Sequence, residues 1–272
     1  MKNAILVYDD NCPLCSWYSS LFTRYGFLPK DGRKAFSSLD DSLLNKIDLE
    51  RARNEIPLIN ATGTVSYGLD ALLIILGDKF PWISKAGRSP LLYWFFRKLY
   101  KLVSYNRKVI VAKKCGPGDI DCAPDMHFGY RFLFLLLGLT FNTFMLFPLQ
   151  LQVFSSFNNS ISIVALQSAH FGLVGMNCML ALTVSKKKAF EFLGQVNMLA
   201  LTAILLLIPL LLIHQWFELP KTYTLIYLGV ATVIVVKEYL RRMQFAGILL
   251  VNKWIVSINF VSIIAFLLFI FH

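Results

Sequence analysis

Cys12 and Cys15, separated only by Pro13 and Leu14, are the residues whose type and spacing could do chemistry. A Cys-x-x-Cys pair can exchange disulfides, or it can supply half of a zinc site, and the surroundings must decide. Zinc would need two more ligands. The other cysteine pair, Cys115 and Cys122, has six intervening residues, a wider gap than the two to four of a zinc site. Redox chemistry is therefore the expected use of the pair, and no bound metal is expected.

The elements around the pair favour the same reading. Ala4-Ile5-Leu6-Val7-Tyr8 reads as a short buried strand ending in the acidic turn Asp9-Asp10-Asn11, and a helical pattern then runs to about Tyr25. A strand that hands Cys-x-x-Cys to a helix N-terminus is the working geometry of thiol–disulfide exchange. Unpaired N–H groups and the dipole of the first turn favour a thiolate. Cys12, at the helix mouth, is expected to be the nucleophile, with Cys15 one turn in to resolve a mixed disulfide. Pro13 suits a first-turn position because it has no N–H to lose.

Further along, Arg33–Leu39 reads as a second strand and Ser42–Arg53 as a helix burying Leu43, Leu44, Ile47 and Leu49. Asn54-Glu55-Ile56-Pro57-Leu58-Ile59-Asn60, a Thr62-Gly63 turn, a strand Thr64–Tyr67 and a helix from about Leu69 to Leu76 follow. This order, with proline opening a strand before a hairpin and helix, resembles the thioredoxin/glutaredoxin fold. The resemblance implies an α/β domain in which Ile56–Pro57 is a cis bond beside the cysteines and the Ile56 backbone pairs with substrate. The other reading is an ordinary trans proline at the start of a strand.

Tyr8-Asp9-Asp10-Asn11-Cys12-Pro13-Leu14-Cys15 is similar to the Asp-x-x-Cys-x-x-Cys signature of the DCC family of thiol–disulfide oxidoreductases, here Asp9, Cys12 and Cys15. Ser66-Tyr67-Gly68-Leu69-Asp70-Ala71 and the stretch from Tyr100 to Asn106-Arg107 resemble further family patterns, and the resemblance runs from about Ile5 to Pro124. It implies catalysis by Cys12 and Cys15, supported by Asp9, Pro13, Ile56 and Pro57. The family usually has glycine where this chain has Asp10. A second carboxylate beside the thiols is expected to raise their pKa and blunt Cys12. The glutaredoxin-like Cys-Pro-x-Cys also admits glutathione, or a thioredoxin-like reductant, as cosubstrate, with no tightly bound cofactor.

The 272 residues are 56% hydrophobic with a mean hydropathy of +0.58, too apolar for a soluble domain of this length. Charge is unevenly spread: residues 1–129 hold 18 of the 27 Lys and Arg and 13 of the 16 Asp and Glu. The composition predicts a redox domain over 1–89, a basic aromatic helix and cysteine-containing linker over 90–129, and a membrane domain over 130–272. The N-terminal apolar run is too short for a cleavable signal peptide.

In the middle segment, apolar and aromatic residues from Pro90 to Leu102 recur at helical spacing with Arg97, Lys98 and Lys101 among them. This is either an interfacial helix on anionic headgroups or a domain helix packing its aromatic face inward. The net charge of +11 is assigned to a membrane surface rather than to nucleic acid. Cys115 and Cys122 flank a Gly116-Pro117-Gly118 turn. They are a possible second redox pair, a structural or regulatory disulfide, or two free thiols; His127 could join them as a ligand or be a lone surface histidine.

Five spans are expected, at about Tyr130–Phe154, Ile161–Val184, Phe192–Trp216, Thr222–Leu240 and Trp254–Phe271, each near the ~20 residues that cross a bilayer. Asn252, Lys253 and Asn259 make the fifth look weakest. Lys186–Lys188 and the Lys237, Arg241, Arg242, Lys253 group lie on one side of these spans, which predicts a cytoplasmic N-terminus and an external C-terminus in the cell membrane. Within the second span Gln167, His170 and Asn177 share one helical face, a pattern of interhelical hydrogen bonding or of a functional site.

The sequence thus predicts a membrane-anchored, multi-pass thiol–disulfide oxidoreductase of the protein-disulfide reductase type, acting on a disulfide-containing protein or a low-molecular-weight thiol. Two alternatives stay open: a transmembrane electron relay through Cys115 and Cys122, and a non-enzymatic binding or redox-sensing membrane protein.

Overall fold

The computed structural model describes residues 3–113, 124–157, 162–217 and 219–271. The chain divides into two compact units, Met1–Arg131 and Phe132–His272.

The first unit is built on a four-stranded sheet of β1 (Ile5–Tyr8), β2 (Arg33–Ala35), β3 (Pro57–Ile59) and β4 (Val65–Tyr67), in the order β2-β1-β3-β4. β1 runs parallel to β2 and antiparallel to β3, and β4 returns antiparallel to β3. The parallel pair is joined through helix α1 (Pro13–Arg24), and β4 leads into α4 (Gly68–Lys79). This is a thioredoxin-like α/β arrangement. Both faces of the sheet are covered at its centre, so the two inner strands, β1 and β3, read as unbroken apolar runs. Leu6 and Leu58, paired across β1 and β3, point into a core with Leu28, Ile56, Ala71 and Ile75. Val7 and Ile59 point the other way, into a core with Phe36, Ile47, Ala52 and Tyr67.

Two expected elements are shorter. β2 ends at Ala35 and becomes a 3-10 turn, Phe36–Ser38, that buries Phe36. The expected single helix over Ser42–Arg53 is two, α2 (Asp41–Leu44) and α3 (Leu49–Asn54). Asp48 is the reason: its carboxylate accepts the Arg51 N–H as an N-cap, restarting the helix.

Helix α5 (Pro81–Gly87) and the long α6 (Pro90–Val111) complete this unit. The inward side of α6 is polar. The Tyr100 hydroxyl accepts the Ile56 N–H at 2.9 Å, Ser104 donates to the Asn54 carbonyl, and Arg107 donates to the Arg53 carbonyl at 2.9 Å. These three residues recur at helical spacing, so the second half of α6 is tied to the segment that enters β3. Gly68 sits at φ +60°, and a Cβ there would meet the Tyr100 ring at 3.1 Å and the Glu55 carboxylate at 3.2 Å. Its place in the chain is therefore a steric requirement.

The second unit consists of helices. α7 (Phe128–Gln152), which begins in the first unit, α8 (Ile163–Leu182), α9 (Lys186–Trp216), α10 (Lys221–Phe245) and α12 (Lys253–Phe271) are each long and apolar enough to cross a membrane; α11 (Ile248–Val251) is a single turn. The fifth span is not the weak one. Asn252 lies outside the helices, and Asn259 is buried in a hydrogen bond with Asn177 of α8. Gln167 likewise donates to the Thr143 carbonyl of α7 at 2.9 Å. Polar residues of the second span thus tie helices together.

Candidate active site

The site forms where β1 ends. Cys12 is the N-cap of α1, in extended conformation, and its sulphur accepts the Cys15 N–H at 3.4 Å. Pro13 occupies the first helical turn, where its missing N–H leaves no hydrogen bond unmade. The turn before it is held by Asp9, whose carbonyl accepts the Cys12 N–H at 3.2 Å and whose carboxylate accepts the Asn11 N–H at 3.0 Å. Both thiols are covered: Cys12 is 2% exposed and Cys15 5%.

Asp9 is equally buried, and its counter-charge is Arg107 of α6, whose guanidinium Nη2 lies 3.5 Å from the carboxylate. Two thiols, a carboxylate and a guanidinium therefore share one enclosed space. The consequence is a separation of acid strengths. Cys12 falls from 9.0 to about 6, first through the hydrogen bond from the Cys15 thiol, against the opposing effect of burial. The Cys15 N–H and the Arg107 charge lower it further, while Asp9 raises it. Cys15 moves the other way, because it donates to Cys12 and is buried. Arg107 is held more firmly as a cation: burial opposes its charge, but Cys15, Asp9 and Cys12 together favour it more strongly. At neutral pH the arrangement holds one thiolate and one thiol, the state that disulfide exchange starts from.

Residues 6–113 match the family model of DCC1-like thiol-disulfide oxidoreductases. They form a DCC1-like domain. No curated protein and no solved structure matches the chain. The domain is followed in the same chain by the five apolar helices, so the protein is a membrane protein carrying a DCC1-like thiol–disulfide oxidoreductase domain.

Three expectations about the DCC1-like site are corrected. The Ile56–Pro57 bond is trans. Pro57 opens β3 as an ordinary strand proline opposite Tyr67, in the isomer that X–Pro bonds prefer. Nor is the Ile56 backbone open to a substrate: its N–H donates to Tyr100 and its carbonyl accepts the Gly68 N–H at 2.9 Å. Asp10 does not blunt Cys12 either. Its carboxylate turns to the Ser37 hydroxyl at 2.8 Å, and the carboxylate that acts on Cys12 is Asp9.

Cys115 and Cys122 lie outside the described residues. His127 packs against the stacked rings of Tyr105 and Tyr130. The ligand atoms of Asp9, Cys12 and Cys15 lie within 4.8 Å of one another, close enough to hold a metal ion. Among the described residues the set is one short of a closed zinc site, and the Arg107 guanidinium, 3.5 Å from the Asp9 carboxylate, puts a positive charge beside it.

Arg107 is the site residue that reasoning from the thiols left out, although it stands in the Asn106-Arg107 stretch that carries part of the family resemblance. Ser104, Asn106 and Lys108 around it are polar as well, so nothing in its own turn set it apart and that resemblance was the available signal. Arg107 also lines an apolar cavity of about 420 Å³, together with Cys15, Tyr18, Leu69, Leu99 and Val103. Cys12 is not part of that wall.

Proposed function

We propose that the protein is a membrane-anchored protein-disulfide reductase or exchange enzyme. The observation that carries this reading is the Cys12 sulphur at the helix N-cap, accepting from Cys15 one turn further in. A substrate R–S–S–R′ uncovers Cys12, whose thiolate attacks one sulphur. The Cys12–S–S–R bond forms and R′S⁻ leaves to take up a proton. Cys15 then loses its proton, to which the Asp9 carboxylate is the near base, and attacks the Cys12 sulphur. RS⁻ leaves and is protonated, so two electrons and two protons have passed to the substrate and a Cys12–Cys15 disulfide remains.

Return to the dithiol needs two electrons from glutathione or a thioredoxin-like reductant, a source consistent with a cytoplasmic domain kept reduced. The lysine- and arginine-rich loops support an N-terminal domain in the cytoplasm and a C-terminus outside. Substrates of this reading are a disulfide-bearing protein or a low-molecular-weight disulfide.

The test is a thiol-alkylation titration of the purified full-length protein in glutathione redox buffers, with Cys12→Ser, Cys15→Ser and Cys115→Ser/Cys122→Ser variants. A reversible two-electron transition that needs both Cys12 and Cys15, and survives loss of the other pair, is expected. A protein in which Cys12 and Cys15 never form a disulfide over the buffer range is not an oxidoreductase of this kind.

A further inference from the structure

The first half of α6 is left with almost no cover. Leu91, Phe95, Leu99 and Val103 recur every four residues along it, with Leu92 and Phe96 beside them, and all are exposed. Trp94 is 61% exposed next to this stripe, and Trp82 of α5 is 69% exposed. Of the aromatic residues of this helix, Tyr93 and Tyr100 turn inward, to Asp70 and Ile56, while Trp94, Phe95 and Phe96 do not. A soluble domain seldom leaves so continuous an apolar strip open to water, so the strip marks an interaction surface.

Charge identifies the partner. From Lys79 to Lys101 the chain carries six basic residues and no acidic one. Lys85 and Arg88 are exposed on and just after α5, and Lys98, three and four residues from Phe95 and Trp94, is exposed at the edge of the apolar strip. An apolar and aromatic face with a basic rim fits an anionic lipid surface, where the rings enter the interface and the cations meet headgroups. The same chain carries five helices suited to a bilayer, so a lipid surface is always within its reach. We infer that the exposed face of α5 and α6 docks the redox domain onto the anionic headgroup layer of the membrane.

The inference does not depend on the enzymatic reading, but it bears on it. Phe96, Leu99 and Val103 are at once part of the exposed strip and part of the wall of the cavity that reaches Cys15. Docking turns the mouth of that cavity towards acyl chains, and the helix that touches lipid is also the one that holds Arg107 against the thiols.

The experiment uses the full-length chain in phosphatidylcholine vesicles containing a brominated lipid, with and without phosphatidylglycerol. One variant keeps Trp94 as its only tryptophan; another keeps Trp17, which is 61% exposed on α1 outside the strip. In the anionic vesicles, bromolipid is expected to quench Trp94 at least about two-fold more than Trp17, as for a ring in the interface. The excess falls when phosphatidylglycerol is left out, when Lys85, Arg88 and Lys98 are changed to Glu, and when salt rises from about 0.1 M to about 1 M.

Equal quenching of both tryptophans by aqueous iodide, with none by bromolipid, overturns the inference. So does a Trp94 shielded from both quenchers, which would mean that a second copy or another protein covers the face. Lipid quenching indifferent to phosphatidylglycerol and salt overturns the assignment to anionic headgroups. Cys12-dependent reduction of a soluble disulfide, assayed in parallel, reports on the enzymatic reading separately.

Discussion

Each unit buries an arginine against a carboxylate, and the two pairs do different work. In the membrane unit Arg242 of α10 lies 2.7 Å from Glu238, four residues earlier on the same helix, and donates to Gln195 of α9 at 2.8 Å. Glu238 is also held by Arg241 at 2.6 Å. The cluster joins α9 and α10 through carboxylate and amide partners, with no thiol among these. In the redox unit Arg107 meets Asp9 at a looser 3.5 Å, and two ionisable sulphurs stand in the same space. A cation that shares its field with groups able to gain or lose a proton sets their acidity. What separates a structural pair from a tuning pair is therefore the titratable neighbour, and burial alone does not distinguish them.

The comparison breaks most completely at the sulphurs themselves. Cys12→Ser removes the nucleophile, and disulfide reduction is expected to fall by at least about a thousand-fold, as for loss of a covalent catalyst. Cys15→Ser should leave the first step intact and arrest the second. Mass spectrometry should then find the substrate joined to Cys12. Adduct on neither variant, or turnover by the serine variant of Cys12, would remove the basis for calling Arg107 a tuning residue.

Arg107→Ala comes next in size. It takes a positive charge away from the thiolate, so the pKa of Cys12 rises, by roughly one unit for a partner of this kind. Below that pKa the wild-type protein is still partly thiolate while the variant is not. At pH 5.5 the rate of Cys12 alkylation should fall about eight-fold for a one-unit shift, and the gap should close above pH 8. Arg107→Lys, which keeps the charge, should recover most of the rate. The same ionisation links to folding. The folded reduced form holds Cys12 near 6 against 9.0 for an ordinary thiol. Its stability should therefore grow from pH 6 to pH 9 and be lost as pH falls through 6. Cys12→Ser should flatten that slope in thermal unfolding of the reduced protein.

Arg242→Met tests the other side. It breaks the bond to Gln195 while leaving Glu238 its Arg241 partner, so the expected cost is about 1–3 kcal/mol of stability. Thermal unfolding in detergent reads that cost. Cys12 alkylation should not change at any pH, and a shift there would erase the distinction between the two pairs.

The same contrast explains what was legible from sequence. Strand, turn and helix around Cys12 could be read because a short apolar run and an N-cap are local signals, and the spans because twenty apolar residues in a row have few other uses. The closing off of the Ile56 backbone was not readable. Gly68 and Tyr100 hydrogen-bond to it from 12 and 44 positions away. Arg107 was missed for the same reason: it reaches the thiols from 92 positions further along the chain than Cys15, through the placement of α6. Charges near in sequence were over-read, and charges near in space could not be seen.

Asp10→Gly is the smallest expected effect and the sharpest check on that lesson. Adjacency in sequence predicts that removing this carboxylate, two residues from Cys12, makes the thiol more acidic. The structure predicts almost no change, because the Asp10 carboxylate is turned to Ser37 and the site already contains its own buried carboxylate in Asp9. Charge that faces solvent is screened, whereas Asp9 acts across an enclosed space. The alkylation profile of Asp10→Gly should therefore overlay the wild type within about 0.3 pH units, while Asp9→Asn should shift it to lower pH by more than that. A fall of a full unit in Asp10→Gly would mean that Asp10 faces the thiols in solution, and that the glycine usual in the family stands there to keep a second charge away from Cys12.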